Sequence, residues 1–83
     1  MSAETAAAWE AVHATLDLLP GWEASRPTWH VEERLWAAAA VYTGHVHRGE
    51  RRPAVVGTGA SEAEALWDLA EALGRGRTDG CVT

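Results

Sequence analysis

Residues 53–74, PAVVGTGASEAEALWDLAEALG, hold the stretch that decides the fold of this chain. The β-branched run at 52–58 predicts a strand, and the glycines at its end predict a tight turn. Ser61 and Glu64 have the spacing of a capping box, in which each side chain satisfies an unpaired amide at the start of a helix. Gly74 is the residue type expected just past the end of that helix. The helix has one apolar stripe, formed by Leu66, Leu69, Ala70 and Leu73.

A second helix is predicted over residues 3–19, at the start of the chain. Ser2 is a good N-cap, and the dipeptide Pro20-Gly21 predicts a sharp end. Apolar residues recur three and four positions apart, which gives the helix a single buried face. Its members are Trp9, Val12, Leu16 and Leu19.

The middle of the chain predicts strands, with one ambiguity. Residues 22–29 fit a strand with Trp22 and Ala24 on one face, and Pro27 assigns that strand to a sheet edge or a bulge. The alanines of 35–43, LWAAAAVYT, favour a helix by propensity, whereas its aromatic and β-branched residues favour a strand. We predict a strand, because the strand at 52–58 needs a partner and 44–52 has the composition of a hairpin connection.

The resulting order is α-β-β-β-α, a two-layer α+β fold with a three-stranded antiparallel sheet and two helices on one face. We expect a single domain over 1–74 and a flexible tail over 75–83. One sheet face is then left uncovered. Strand alternation at 35–43 offers two candidates for it, both apolar: either Trp36, Ala38, Ala40 and Tyr42, or Leu35, Ala37, Ala39 and Val41.

Composition narrows the function classes. The chain has 83 residues and a net charge of −5, which argues against binding to phosphate backbones. Its single cysteine, Cys81, fits a reducing cytoplasm, and no apolar run is long enough for a membrane span. We expect the five tryptophans to supply the bulk of a small core and to leave some aromatic surface exposed.

Residues that could carry chemistry do not form a convergent set. His45 and His47 would share a strand face, but two ligands do not close a metal site. Gly57 and Gly59 lack the third glycine and the lysine of a phosphate-binding loop, and Ser61 is explained by its capping role. The sequence therefore predicts no catalytic residue, no metal and no cofactor.

Residues 57–61, GTGAS, and the helix that follows resemble the closing segment of the double-stranded RNA-binding domain, whose element order is the same. That family places lysines at the start of this helix, whereas Glu62 and Glu64 stand here and would repel phosphate. The resemblance implies the fold without the RNA function. The run Glu64-Ala65-Leu66 is also similar to the HicB family of antitoxins, which neutralise a small toxin. The block 22–73 is similar to uncharacterised small proteins of high-GC bacteria.

These observations predict a non-enzymatic, cytoplasmic module that works by protein association, as a homodimer through its sheet. The alternatives are a nucleic-acid-binding module or an antitoxin with a small protein partner. An enzyme ranks third because no catalytic set can be named. We predict six interaction residues: Trp29, Trp36, Tyr42, Arg48, Arg51 and Arg52.

Overall fold

The computed structural model describes residues 2–50 and 52–75, and the backbone of 80–82. Two helices and five strand segments form a helical layer and a sheet layer, in agreement with the predicted α+β class. In chain order the elements are α1 (Ala3–Leu16), β1 (Trp22–Ala24), β2 (Thr28–His30), β3 (Leu35–Tyr42), β4 (Arg52–Gly59), α2 (Glu62–Gly74) and β5 (Gly80–Val82).

Helix α1 starts at its predicted cap and ends three residues before the predicted boundary. The Ser2 hydroxyl accepts a hydrogen bond from the Thr5 amide at 3.1 Å. After Leu16 the chain continues in tighter turns, in which amides bond to carbonyls three residues back. Gly21 then adopts a φ of +86°, a left-handed conformation that glycine tolerates best.

The predicted strand over 22–29 is two short segments on the same edge of β3. Trp22 pairs with Tyr42 in β1, and His30 pairs with Leu35 in β2. Between these segments Arg26 and Pro27 together lie opposite the single residue Ala38, which is a β-bulge. The prediction of an edge or a bulge at Pro27 is thus confirmed, and the physical reason is its missing amide.

Strands β3 and β4 form the antiparallel hairpin at the centre of the sheet. Residues 35–42 are a strand, which confirms the interpretation of the alanine-rich segment. Ala38 pairs with Gly57 and Ala40 pairs with Val55, on the face that both helices cover. The helices therefore pack on the Trp36-to-Tyr42 side of β3, and the side starting at Leu35 is the uncovered face.

The sheet is wider than predicted, because β5 pairs antiparallel with the outer edge of β4. Pro53 pairs with Cys81 at the centre of this short ladder. No strand is predicted there from the sequence, since a three-residue strand in a glycine-rich segment shows no hydrophobic alternation. The predicted flexibility of 75–83 remains a prediction for residues 76–79 and 83, which lie outside the described residues.

Helix α2 begins as predicted and ends differently. Ser61 accepts from the Glu64 amide at 3.1 Å, whereas the Glu64 carboxylate accepts from the Ala60 amide at 2.7 Å, one residue before the capping-box partner. Gly74 is the last helical residue and has no left-handed φ, so it is not the residue past the helix end that we predicted. Arg75 forms the C-cap instead, its amide bonded to the Glu71 carbonyl.

The core is built from small and aliphatic side chains. The prediction that tryptophans supply its bulk is wrong, whereas the prediction that some aromatic surface stays exposed is confirmed. The largest fully buried side chains are Leu66, Leu69, Val12 and Val55. Trp9, Trp22 and Trp36 pack against the margin of this core and stay partly exposed. Trp29 and Trp67 are about half exposed. The alanines bring helix and sheet so close that an indole does not fit between them.

Close approach between α2 and β4 also explains the two glycines that end the predicted strand. A Cβ atom on Gly57 would overlap the backbone of Leu69 and the carbonyl oxygen of Ala65, and one on Gly59 would overlap Glu64. Both glycines lie within β4 rather than in a turn. Their missing side chains let the helix lie directly on the strand.

Candidate functional site

The uncovered face of the sheet, here called the open face, is an apolar stripe bordered by small polar residues. The odd-numbered residues of β3 point to this face. Residues of β1, β2 and β4 that stand opposite them in the register point to it too. Its centre is Leu35, Ala37, Ala39, Val41, Ala54 and Val56. Its border is Glu23, Ser25, Thr28, His30 and Thr58.

Exposure differs along this face. Val56 is 39% exposed, the β3 residues of the stripe are partly buried, and Ala54 is only 7% exposed, so the water contact of the stripe comes from Val56 and β3. The border side chains of β1 and β2 are exposed. A flat stripe of alanine, valine and leucine side chains in contact with water favours association, because pairing removes that apolar area from water.

The outer edges of the sheet are less suited to association than its open face. On one side, the bulge at Arg26 and Pro27 interrupts the row of backbone groups that another strand could pair with. On the other side, β5 is only three residues long. Beyond the β5 ladder, the Asp68 carboxylate accepts a hydrogen bond from the Thr58 amide at 3.0 Å. Both edges are therefore poor templates for strand addition.

The three predicted aromatic interaction residues lie on the helix side of the sheet. Trp29 and Trp36 are cross-strand partners whose ring centroids are 5.7 Å apart at an angle of 56°. Tyr42 packs against Trp22 with centroids 6.0 Å apart. Trp36 and Tyr42 are partly buried, and Trp29 remains 47% exposed at the sheet edge. These residues are brought together in two pairs, away from the open face.

Of the three arginines predicted as interaction residues, the structure describes Arg48 and Arg52. The Arg52 guanidinium donates from Nη1 to the carbonyls of Tyr42 and Gly44, at 3.1 Å and 2.8 Å. These bonds close the hairpin between β3 and β4. Arg48 is exposed in the connecting loop, and Arg51 lies outside the described residues. Arg52 is thus a structural residue, which the sequence pattern could not reveal.

A surface groove that the sequence did not predict lies between α1 and the bulge. It has a volume of about 590 Å³ and is lined by Ala6, Trp9, Glu10, His13, Ala24 and Arg26. A smaller extension of about 300 Å³ continues past Pro27 to Glu62. The Trp9 indole stacks on His13, with centroids 5.2 Å apart. The bulge predicted at Pro27 was the one sequence signal for a concavity here.

The polar groups of this groove are exposed at the surface, and none of them is buried in a position that would hold a ligand. Glu10, His13 and Arg26 are all exposed. Within the described ranges, every buried side-chain nitrogen or oxygen has a hydrogen-bond partner. The groove therefore offers an aromatic shelf with charges of both signs, but no buried polar group directed at a substrate.

The start of α2 is occupied by the chain's own acids. Glu64 accepts from the Ala60 amide, and Glu62 lies in the same first turn. These carboxylates take the place where a helix N-terminus would receive a phosphate. This end of the helix is therefore electrostatically unsuited to a nucleic-acid backbone.

The histidines of the hairpin form a pair. The rings of His45 and His47 meet edge to face, with centroids 5.7 Å apart. Across residues 2–50, 52–75 and 80–82, no three histidine, cysteine or acidic side chains gather as a metal site would require. Neither α1 nor α2 has the length and hydropathy needed to cross a bilayer.

Comparison with known proteins finds no matching family model, no matching curated protein and no matching solved structure. The resemblance to the double-stranded RNA-binding domain thus stays a prediction, made from the predicted element order and from the segment 57–61. The geometry of the chain itself is the basis for assigning a function.

Proposed function

We propose that this chain is a non-enzymatic association module that pairs with a second copy of itself through the open face. The observation that carries the proposal is the apolar stripe on that face. It runs the full length of β3, and only small polar and charged side chains border it. Two such stripes stacked face to face would exclude water from both, as in a β-sandwich.

The size of the face sets the expected strength of the dimer. Three strand positions about 4.8 Å apart and eight residues of about 3.4 Å outline a face of roughly 14 by 27 Å. A flat face of that outline covers roughly 380 Å², or roughly 760 Å² for the two copies, which is below the about 1,200 Å² of stable interfaces and typical of weak, transient ones. Its side chains are mostly small, without the central aromatic anchors of tight complexes. We therefore expect a weak dimer, with a dissociation constant in the high micromolar range.

The alternatives have less support from the described residues. Nucleic acid would meet the acidic start of α2, and Arg52 already donates to two backbone carbonyls. A small protein partner, as in the antitoxin resemblance, would need the same apolar face. It is therefore an outcome of the test rather than a separate proposal. The cytoplasmic setting expected from Cys81 stays part of the proposal.

Sedimentation velocity of the purified chain tests the proposal, over concentrations from micromolar to millimolar. We expect a shift from the 8.9 kDa monomer toward twice that mass. Ala39→Glu places a charge at the centre of the open face and should hold the chain monomeric, because pairing would bury that charge. Val56→Glu should act the same way from the neighbouring strand.

Leu18→Glu is the matched control, since it adds the same charge at an exposed residue beyond the end of α1. It should leave the dimer intact. Far-ultraviolet circular dichroism verifies that each variant is folded. A folded chain that stays monomeric at millimolar concentration overturns self-association. If Ala39→Glu and the unmodified chain dimerise with the same dissociation constant, the interface does not lie on the open face.

A further inference from the structure

Along its β1–β2 edge, the open face carries the Glu23 carboxylate at one end and the His30 imidazole at the other. We infer that two copies stack with their β3 strands antiparallel, about a two-fold axis that crosses the strands, so that Glu23 of each copy meets His30 of the other. This inference rests on the proposed function. It adds the orientation of the partner and the residues that select it.

Register supplies the geometric argument. Glu23 lies beside Val41, and His30 lies beside Leu35. These positions are three residues to either side of Ala38, so a two-fold axis over Ala38 exchanges them. The same axis sets Ala37 of one copy over Ala39 of the other, where small side chains allow the sheets to approach. Leu35 then meets Val41 of the second copy at each end of the stripe.

The bulge makes this arrangement possible. Glu23 and His30 are seven residues apart, and in an uninterrupted strand they would point to opposite faces. The extra residue at Arg26 and Pro27 reverses the alternation, so both side chains reach the open face. The hydrogen bond between the Thr28 hydroxyl and His30 Nε2, at 3.1 Å, places these two side chains on one side of β2.

Two sheets can stack face to face about either of two two-fold axes, one across the strands and one along them. The polar side chains favour the axis across the strands. About the axis along the strands, the β1–β2 edge of one copy would lie over β4 of the other. Glu23 would then lie over Ala54, and His30 just beyond Gly59, the last residue of β4 that pairs with β3. Glu23 and His30 would then not meet: His30 would lack a partner, which is costly, and the Arg52 guanidinium beside Ala54 already donates to two backbone carbonyls. The crossing axis instead pairs them twice in each dimer.

The imidazole can serve as the donor. If the Thr28 hydroxyl donates to Nε2, the ring proton is on Nδ1, which is then available for the Glu23 carboxylate of the second copy. Across an association surface, such polar pairs set orientation and exclude wrong alignments. The apolar stripe provides the attraction, and Glu23 with His30 provides the alignment.

Substitutions that exchange the polar groups at positions 23 and 30 test the orientation. Sedimentation equilibrium measures the dissociation constant of each variant. His30→Glu sets two acids opposite one another and should weaken the dimer about tenfold or more. Glu23→Lys removes the acceptor and should also weaken it. The double variant Glu23→Lys with His30→Glu gives the pair a new donor and acceptor with their positions exchanged, and should return the dissociation constant to within about threefold of the unmodified chain.

Glu10→Lys with His30→Glu is the control for net charge, because Glu10 lies on α1, on the other side of the sheet. It should not restore the dimer. If the unmodified chain dimerises and Ala39→Glu abolishes the dimer, but His30→Glu has no effect, the orientation is overturned while the proposed function stands. Restoration by both double variants would also overturn the pairing. A chain that never dimerises contradicts the proposed function itself.

Discussion

The two faces of β3 carry similar side chains in very different surroundings. Ala38 and Ala40 face the helices and are each 1% exposed, whereas Ala37 and Ala39 on the open face are only partly buried. The difference comes from the neighbouring strand. Opposite Ala38 stands Gly57, which leaves room for α2, and opposite Ala39 stands Val56, which does not. The missing side chain of Gly57 thus accounts for the burial of Ala38, and Ala40 is buried beside Val55 on the same covered face.

Gly57→Val should have the largest effect, and it tests directly whether the missing side chain on β4 makes room for α2. The new side chain would overlap the Leu69 and Ala65 backbone, which cannot move unless α2 shifts. We expect a loss of more than about 3 kcal/mol of unfolding free energy, measured by urea denaturation.

Thr58→Val, one residue further on, is the matched control because the Thr58 side chain lies on the open face. It should change the free energy of unfolding by no more than about 0.5 kcal/mol. Similar losses for the two variants would mean that the faces are not distinct in packing.

A smaller effect should come from the alanines themselves. Ala38→Leu adds three carbon atoms to a filled core and should cost about 1–3 kcal/mol. Ala39→Leu makes the same change on the open face and should leave monomer stability nearly unchanged. Thermal and urea unfolding at low protein concentration, where the monomer dominates, measures both. An equal cost for the two substitutions would contradict the assignment of the faces.

The smallest effect concerns the polar contact between the helix layer and the sheet edge. Asp68→Ala removes the carboxylate that accepts from the Thr58 amide and should cost about 1 kcal/mol. Glu71→Ala on the same helix removes an exposed ion pair with Arg75 and should cost less than about 0.5 kcal/mol. Chemical denaturation of both variants separates the two values. The reverse order would show that Asp68 is dispensable.

Local sequence signals were sufficient to predict the two helices and the presence of strands between them. Ser2 and Ser61 cap α1 and α2 as their positions predict, because capping depends on a few consecutive residues. The strand at Leu35–Tyr42 required a longer-range argument, since its alanines favour a helix. The need of β4 for a partner gave the right answer there.

Features that depend on contacts distant in sequence were missed or wrongly assigned. The tryptophans form a rim rather than a core, because how closely the layers approach depends on glycines and alanines from separate elements. Arg52 closes the hairpin through carbonyls about ten residues away along the chain. Strand β5 pairs through its backbone and leaves no side-chain pattern to detect.

The sequence by itself determined the two helices, the central hairpin and the break at Pro27, because caps, periodicity and a missing amide act over a few residues. It also predicted that one apolar sheet face would remain uncovered. Only the tertiary structure decided which face that is. Both sides of β3 are apolar, so alternation cannot distinguish them. The decision depends on Gly57 and Gly59 of β4 admitting the backbone of α2, a contact between elements that each look ordinary on their own.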